Sequence, residues 1–238
     1  MRYLFILAIA ALTITSCSPS HFVVPLQRKS HAVNFSLGGP LINYSNLVIP
    51  VPFASLQYGY GWKKKTTVYG GLQLTSAAFG VVHTELGLTH QLFYRTDNKL
   101  GLSVSPTFNL MYDKWENHFK FYPQFDMNLY WHFKGENRGS CDCTGEGKTF
   151  MYAYVGASNW IELATKRLDG LNQSTNLIFM PQVGINMGSA SWKFNFEVKY
   201  MGLGTTNNNT VVEYFNPISD KGAIGAYLSV TKIITAKH

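Results

Sequence analysis

Between Phe119 and Phe133 the chain alternates residue by residue between an oily set and a polar set, which restricts this stretch to a β-strand. Phe119, Phe121, Pro123, Phe125, Met127, Leu129, Trp131 and Phe133 fall on one side of an extended backbone. Lys120, Tyr122, Gln124, Asp126, Asn128, Tyr130 and His132 fall on the other. Successive strand side chains point to opposite faces, whereas a helix of 3.6-residue period would spread the apolar set around its circumference. The pattern recurs over 191–200, where Trp192, Phe194, Phe196, Val198 and Tyr200 oppose Lys193, Asn195, Glu197 and Lys199.

The same template predicts about ten strands, within a range of roughly eight to twelve. They fall at about 31–38, 52–61, 66–75, 79–94, 99–112, 119–133, 149–163, 176–187, 190–201 and 222–234. Across them the apolar face carries no Asp, Glu, Lys or Arg before Lys232, while Glu85, Lys120, Asp126, Lys193, Glu197 and Lys199 share the polar face. The chain is 46% hydrophobic and 14% charged, against roughly 25% charged for a soluble domain. No apolar run reaches the roughly 18 residues of a membrane-spanning helix. The abundance of aromatic residues excludes disorder. A soluble barrel that binds a hydrophobic ligand would line its cavity with the oily face and show charge to water. Here the polar face is mostly Gly, Ser, Thr, Asn, Gln and Tyr, with charges of both signs that can pair, which suits a lumen; the bulky apolar face suits hydrocarbon.

The expected fold is therefore all-β: a single closed, antiparallel, up-and-down transmembrane barrel over residues 31–238. Closure follows because an open sheet would leave unpaired backbone groups in lipid. Trp62, Tyr94, Tyr112, Trp131, Phe133 and Trp192 lie near strand ends, as an interfacial girdle would. Pro106, Pro123 and Pro181 each remove a ladder hydrogen bond, so strands are expected to begin their bonded part there or to bulge. Tyr69, Tyr152, Tyr154 and Tyr227 on the inward face would fill a narrow lumen, which argues against a general diffusion pore.

Met1-Arg2-Tyr3 and the apolar run Leu4 to Leu12 form a secretory signal, too short to span a bilayer. Ile14-Thr15-Ser16-Cys17 resembles the lipobox of bacterial lipoproteins. That resemblance implies a signal over residues 1–16, acylation of Cys17 with palmitate-type chains, and a polar lipidated linker over 17–30. The formal charge of +7 comes without a dense Lys/Arg stripe, so nucleic acid is not an expected partner. Two further cysteines, Cys141 and Cys143, sit in a Gly-rich stretch. A loop disulfide, free or intermolecular thiols, and metal or redox chemistry are all open for them, although a bridge across one residue is strained and a metal would need further ligands.

With strand one rising from the anchor, the turns at 62–65, 95–98 and 188–189 lie on the periplasmic side, and the connections at 39–51, 113–118, 164–175 and 202–221 lie outside. The connection 134–148 is long for an inner turn. As a whole the chain resembles a small outer-membrane β-barrel protein that also carries a lipoprotein signal, an arrangement of Bacteroidota-type envelopes. The resemblance implies an outer-membrane location with a lipid anchor at Cys17. It differs from many such barrels in ending Thr235-Ala236-Lys237-His238 without a terminal aromatic residue, so the last strand is expected to end near Ile234.

Membrane-embedded barrel enzymes use recognisable constellations, and here no His is followed two residues later by Ser, nor does Asp-x-Asp or Asp-x-His occur. His83-Thr84-Glu85 places an imidazole and a carboxylate on one side of a strand, about 7 Å apart. They are read as part of a lumen charge network of His83, Glu85, Lys120, Asp126, Lys193, Glu197 and Lys199 that neutralises buried charge. The preferred expectation is a non-enzymatic structural or accessory subunit, or binding surface, of the cell envelope. It needs no cofactor or metal and contacts outer-membrane lipid, with possible protein partners at 39–51, 134–148 and 202–221. The alternatives are a lipid-modifying enzyme using His83 and Glu85, and a lipid-tethered soluble barrel holding a hydrophobic ligand.

Overall fold

The computed structural model describes residues 19, 21–44, 47–134, 149–163, 177–206, 214–216, 218 and 221–234. Cys17, Cys141 and Cys143 lie outside these, as does most of 134–148. The strands are β1 (His31–Tyr44), β2 (Leu47–Pro50), β3 (Phe53–Lys63), β4 (Thr66–Gln73), β5 (Val81–Arg95) and β6 (Leu100–Asp113). They continue as β7 (His118–Lys134), β8 (Phe150–Ile161), β9 (Leu177–Gly188), β10 (Trp192–Thr206) and β11 (Lys221–Ile234), with one short helix, α1 (Leu74–Ala78), between β4 and β5.

Ten of these strands form a closed antiparallel barrel in sequence order, sealed by pairing of β11 with β1 from His31↔Ile234 to Pro40↔Gly225. The eleventh, β2, is a rim extension within the stretch 39–51. It folds back on the outer part of β1, from Leu41↔Pro50 to Tyr44↔Leu47, and makes a hairpin beyond the wall. The last strand ends at Ile234.

Alternation is kept around the wall. Leu86, Phe108, Val155 and Phe194 are more than half exposed on the outside, whereas Asn34, Gln57, Ser103 and Glu197 are almost fully buried within. An apolar-lined cavity, which a soluble barrel for a hydrophobic ligand requires, is the reverse of this arrangement. The short connections, after β3, β5 and β9, share one end of the barrel with the start of β1. The opposite end carries α1 and the β1–β2 hairpin.

Each strand proline keeps its register on one side only, as Pro106↔Phe125, Phe108↔Pro123 and Ala157↔Pro181. On the other side β7 pairs with β8 only from Gln124, and β9 with β10 only from Gln182, so two strands begin their bonded part just past the proline, as expected, whereas Pro106 lies inside β6 without a register shift. One local expectation is corrected. Tyr94 leaves the outer girdle. A register shift between Gln91 and Phe93 puts one extra residue in β5, so Leu92 and Phe93 both face out and Tyr94 turns inward to stack on Tyr130, with ring centroids 6.3 Å apart. Trp62, Tyr112, Trp131, Phe133 and Trp192 stay exposed on the outside.

Candidate functional site

The interior is the site, and its unexpected occupant is the protein's own amino-terminal segment. Within the stretch read as a polar linker, residues 21–26 pack inside the barrel, while Arg28 and Lys29 stand exposed at its rim. The reason lies in Phe22, Val23, Val24 and Leu26, an apolar cluster within a stretch read as polar; each is about 5% exposed or less. Phe22 and Leu26 pack with Tyr69, Ala32 and Ile233. Val23 and Val24 pack with Tyr130, Phe150, Tyr152 and Tyr154.

The segment is also tied to the wall by polar bonds. Leu26 N donates to Thr67 Oγ1 at 2.6 Å. Lys29 N donates to the Gly61 carbonyl at 2.8 Å, and Ser30 N to that of Gln27 at 3.1 Å, turning the chain into β1. Two glycines of β3 make room: a β-carbon at Gly59 would lie 2.6 Å from Phe22 Cζ, and one at Gly61 would lie 1.9 Å from the Gln27 oxygen. Any side chain there would push the segment away from the wall.

At its inner end, His21 Nε2 lies 2.8 Å from Glu85 Oε1, and the imidazole meets Tyr69 edge-on at 5.5 Å. Removing one member of this buried polar pair costs about 1–3 kcal/mol, because the other is left unsatisfied. His21→Ala and Glu85→Ala are each expected to destabilise the folded barrel by that order. Their double mutant should recover a coupling of about 1–3 kcal/mol, read as urea midpoints in detergent micelles. Strict additivity would mean that residue 21 does not reach the lumen.

The other expected network residues fall into two linked groups. His83 Nε2 lies 3.1 Å from Asn109 Oδ1. Asn109 Nδ2 donates to Gln124 Oε1 at 3.0 Å, and Gln124 Nε2 donates to Asp126 Oδ1 at 2.9 Å and to Ser158 Oγ at 3.2 Å. This relay of amides crosses from β5 to β8. In the second group Lys199 Nζ lies 3.4 Å from Glu197 Oε1, and the Tyr154 hydroxyl donates to Glu197 Oε2 at 2.6 Å. Lys199 also attracts Asp126 electrostatically, which joins the two groups.

Lys193 is buried over the Phe150 ring, 5.2 Å from its centroid. Lys120 is half-buried near the long-loop end of β7, and among the described residues it forms no ion pair. His83 and Glu85, expected in one network, take separate partners, Asn109 and His21. Sequence reasoning missed Asn109 and Gln124, although both sit at inward positions of the alternation. It missed His21 altogether, because nothing in a short segment before the first strand marks it as internal.

A further closure lies at the long-loop end, where Trp160, Met180, Met201, Ala223 and Tyr227 form a buried apolar cluster. Along the axis the lumen thus holds an apolar cluster, a polar layer, and the inserted segment.

Comparisons with protein-family models and with curated proteins gave no match. Among solved structures, the chain is similar to the outer membrane protein OprG from Pseudomonas aeruginosa, at 10% identity over 89% of this chain and 99% of that one, with a TM-score of 0.33. It is similar to the translocator domain of autotransporter NalP from Neisseria meningitidis, at 8% identity over 97% of this chain and 94% of that one, with a TM-score of 0.38. The attachment invasion locus protein Ail of Yersinia pestis shows 8% identity over 87% of this chain and 100% of that one, with a TM-score of 0.28. These are likenesses of chain path and assign no activity.

Proposed function

We propose that this chain is an outer-membrane β-barrel lipoprotein, anchored by an acylated Cys17, that works as a non-enzymatic structural or binding surface of the envelope. The observation that carries this reading is the pairing of an oily exterior with a lumen filled by the protein's own residues. An oily wall of this extent requires hydrocarbon around it, since water-exposed apolar patches on soluble proteins are far smaller. A lumen closed by its own amino-terminal segment and by an apolar cluster disfavours transport. His83 and Glu85 hold structural partners, Asn109 and His21, which disfavours their service as catalytic base and orienter.

What is left for function is the outer rim. Residues 39–51 contain no charged side chain. Tyr44, Leu47, Val48 and Ile49 stand exposed on the β1–β2 hairpin. The loop after β10 packs against its base, through Phe215 N donating to the Leu41 carbonyl at 2.8 Å and a bridge between Ile42 and Tyr214. An apolar, braced projection fits contact with another envelope protein.

The test is isolation from carbonate-washed outer membranes in mild detergent, with Cys17→Ala behind a replacement signal and Leu47→Asn/Ile49→Asn as variants. The barrel is expected to stay in the washed membrane in every form. A stoichiometric companion protein should accompany the wild type and be lost from the hairpin variant, while heat-modifiable mobility shows that the variant still folds. Release of the Cys17 variant into the wash would refute membrane insertion. Absence of any companion would refute the surface role.

A further inference from the structure

We propose that the short-turn end of the barrel binds the phosphate-bearing headgroups of anionic phospholipid, with one lipid seated at Phe93, Arg95 and Leu100. This rests on the membrane reading above and adds which lipid the barrel prefers and where. Charge is distributed very unevenly between the two rims. Lys63, Lys64 and Lys65 close β3 onto β4 and are all exposed. Arg95 and Lys99 flank the next short turn, Lys134 ends β7, and Arg28 and Lys29 precede β1, again all exposed. Among the described residues the only carboxylate beside them is Asp97. The connection 135–148 adds Glu136, Asp142 and Glu146 against Arg138 and Lys148, which leaves a large positive excess.

The opposite rim is balanced: Asp113, Glu116 and Glu162 stand against Lys114, Lys120 and Lys221 among the described residues. General solubility would not favour one end, so the asymmetry points to an anionic surface at the short-turn end alone. Aromatic neighbours set its depth. Lys63 Nζ lies 4.5 Å from the Trp62 ring centroid and Lys232 Nζ 4.5 Å from that of Trp192. Indole rings settle at the boundary between hydrocarbon and headgroups, so ammonium groups held over them stand at phosphate level.

The seat at the β5–β6 turn supplies both halves of a phospholipid site. Phe93, Arg95 and Leu100 line a groove of about 370 Å³ on the outer surface. Its walls are almost wholly apolar, Arg95 lining it with its aliphatic stem, so an acyl chain can lie along Phe93, Leu100 and that stem while the exposed guanidinium beyond the groove takes the phosphate in a bidentate pair. The groove exists because the extra residue in β5 turns Leu92 and Phe93 out together.

The test is native mass spectrometry of the full chain released from nanodiscs made of equal parts phosphatidylglycerol and phosphatidylcholine. Each Lys or Arg near an anionic surface is worth about fivefold in affinity, so the wild type is expected to retain phosphatidylglycerol over phosphatidylcholine by at least about tenfold. Lys63→Gln/Lys64→Gln/Lys65→Gln/Arg95→Gln should bring that ratio near parity, whereas Lys114→Gln/Lys221→Gln should leave it unchanged. Inorganic phosphate should not displace the retained lipid. Equal retention by the wild type, a preference that survives the four-residue variant, loss in the opposite-rim variant, or displacement by phosphate would each overturn the proposal. Failure of the wild type to enter nanodiscs at all would instead refute the membrane reading on which it rests.

Discussion

Deleting residues 21–28 is expected to leave the barrel electrically silent, and adding Trp160→Ala and Tyr227→Ala to that deletion is expected to open it. The lumen has two closures in series. The amino-terminal segment fills the short-turn half with Phe22, Val23, Val24 and Leu26. Trp160, Met180, Met201 and Tyr227 fill the long-loop end. Current through barriers in series is set by the larger resistance, so removing one leaves the other in control. Once the segment is gone, water will enter the vacated half, because the wall there presents Asn34, Gln57, Thr67 and Thr89, groups that water can satisfy.

Truncating Trp160 and Tyr227 then removes the two largest rings of the remaining closure. Single-channel recording in planar bilayers checks this: baseline for the wild type, for the deletion and for the two-ring variant, and stepwise current for the combination. Heat-modifiable mobility must show that each form folds. Steps from the deletion alone would mean that the apolar cluster is no seal. A silent but folded combination would mean that Tyr69, Tyr130, Tyr152 and Tyr154 close the lumen by themselves.

The wall of this molecule was legible because alternation is a local property. Phe119 to Phe133 reads as a strand wherever it is placed, and the expected last strand over 222–234 is observed as Lys221–Ile234. Inward or outward assignment followed for nearly every strand residue from parity alone. Parity failed where the count slips, at the extra residue near Leu92, which sent Tyr94 inward. Such a bulge has no composition signature in a stretch as apolar as Leu92-Phe93-Tyr94. The contents of the lumen were half legible. Lumen positions carrying Glu85, Asp126, Glu197 and Lys199 followed from the alternation, but their partners depend on strand register, which sets Asn109 opposite Tyr122 and brings Gln124 between Asn109 and Asp126. The inserted segment was illegible for a different reason. Phe22 to Leu26 is too short and is broken by Pro25, so its spacing marks neither a helix nor a strand, and what buries it is a cavity that exists only after all ten strands have closed.

Lys199 is expected to be the costliest single position in the barrel interior. Its ammonium is 1% exposed and faces two carboxylates, Glu197 at 3.4 Å and Asp126. Lys199→Met keeps the approximate length of the side chain but removes the ammonium that pairs with Glu197 and attracts Asp126. Breaking a buried ion pair costs about 3–5 kcal/mol, and two facing anions place this variant at the upper end. Glu197→Gln in the same chain should return about half of the loss, since the amide keeps the shape, can still accept from the Tyr154 hydroxyl, and ends the repulsion with Asp126. Asp126→Asn in the Lys199→Met background should also restore stability, because Asp126 accepts from Gln124 Nε2, a bond that an amide oxygen can still accept. Urea midpoints in lipid vesicles give the measurement. If neither neutralisation rescues Lys199→Met, the loss comes from packing, and the two anions are not sharing one cation.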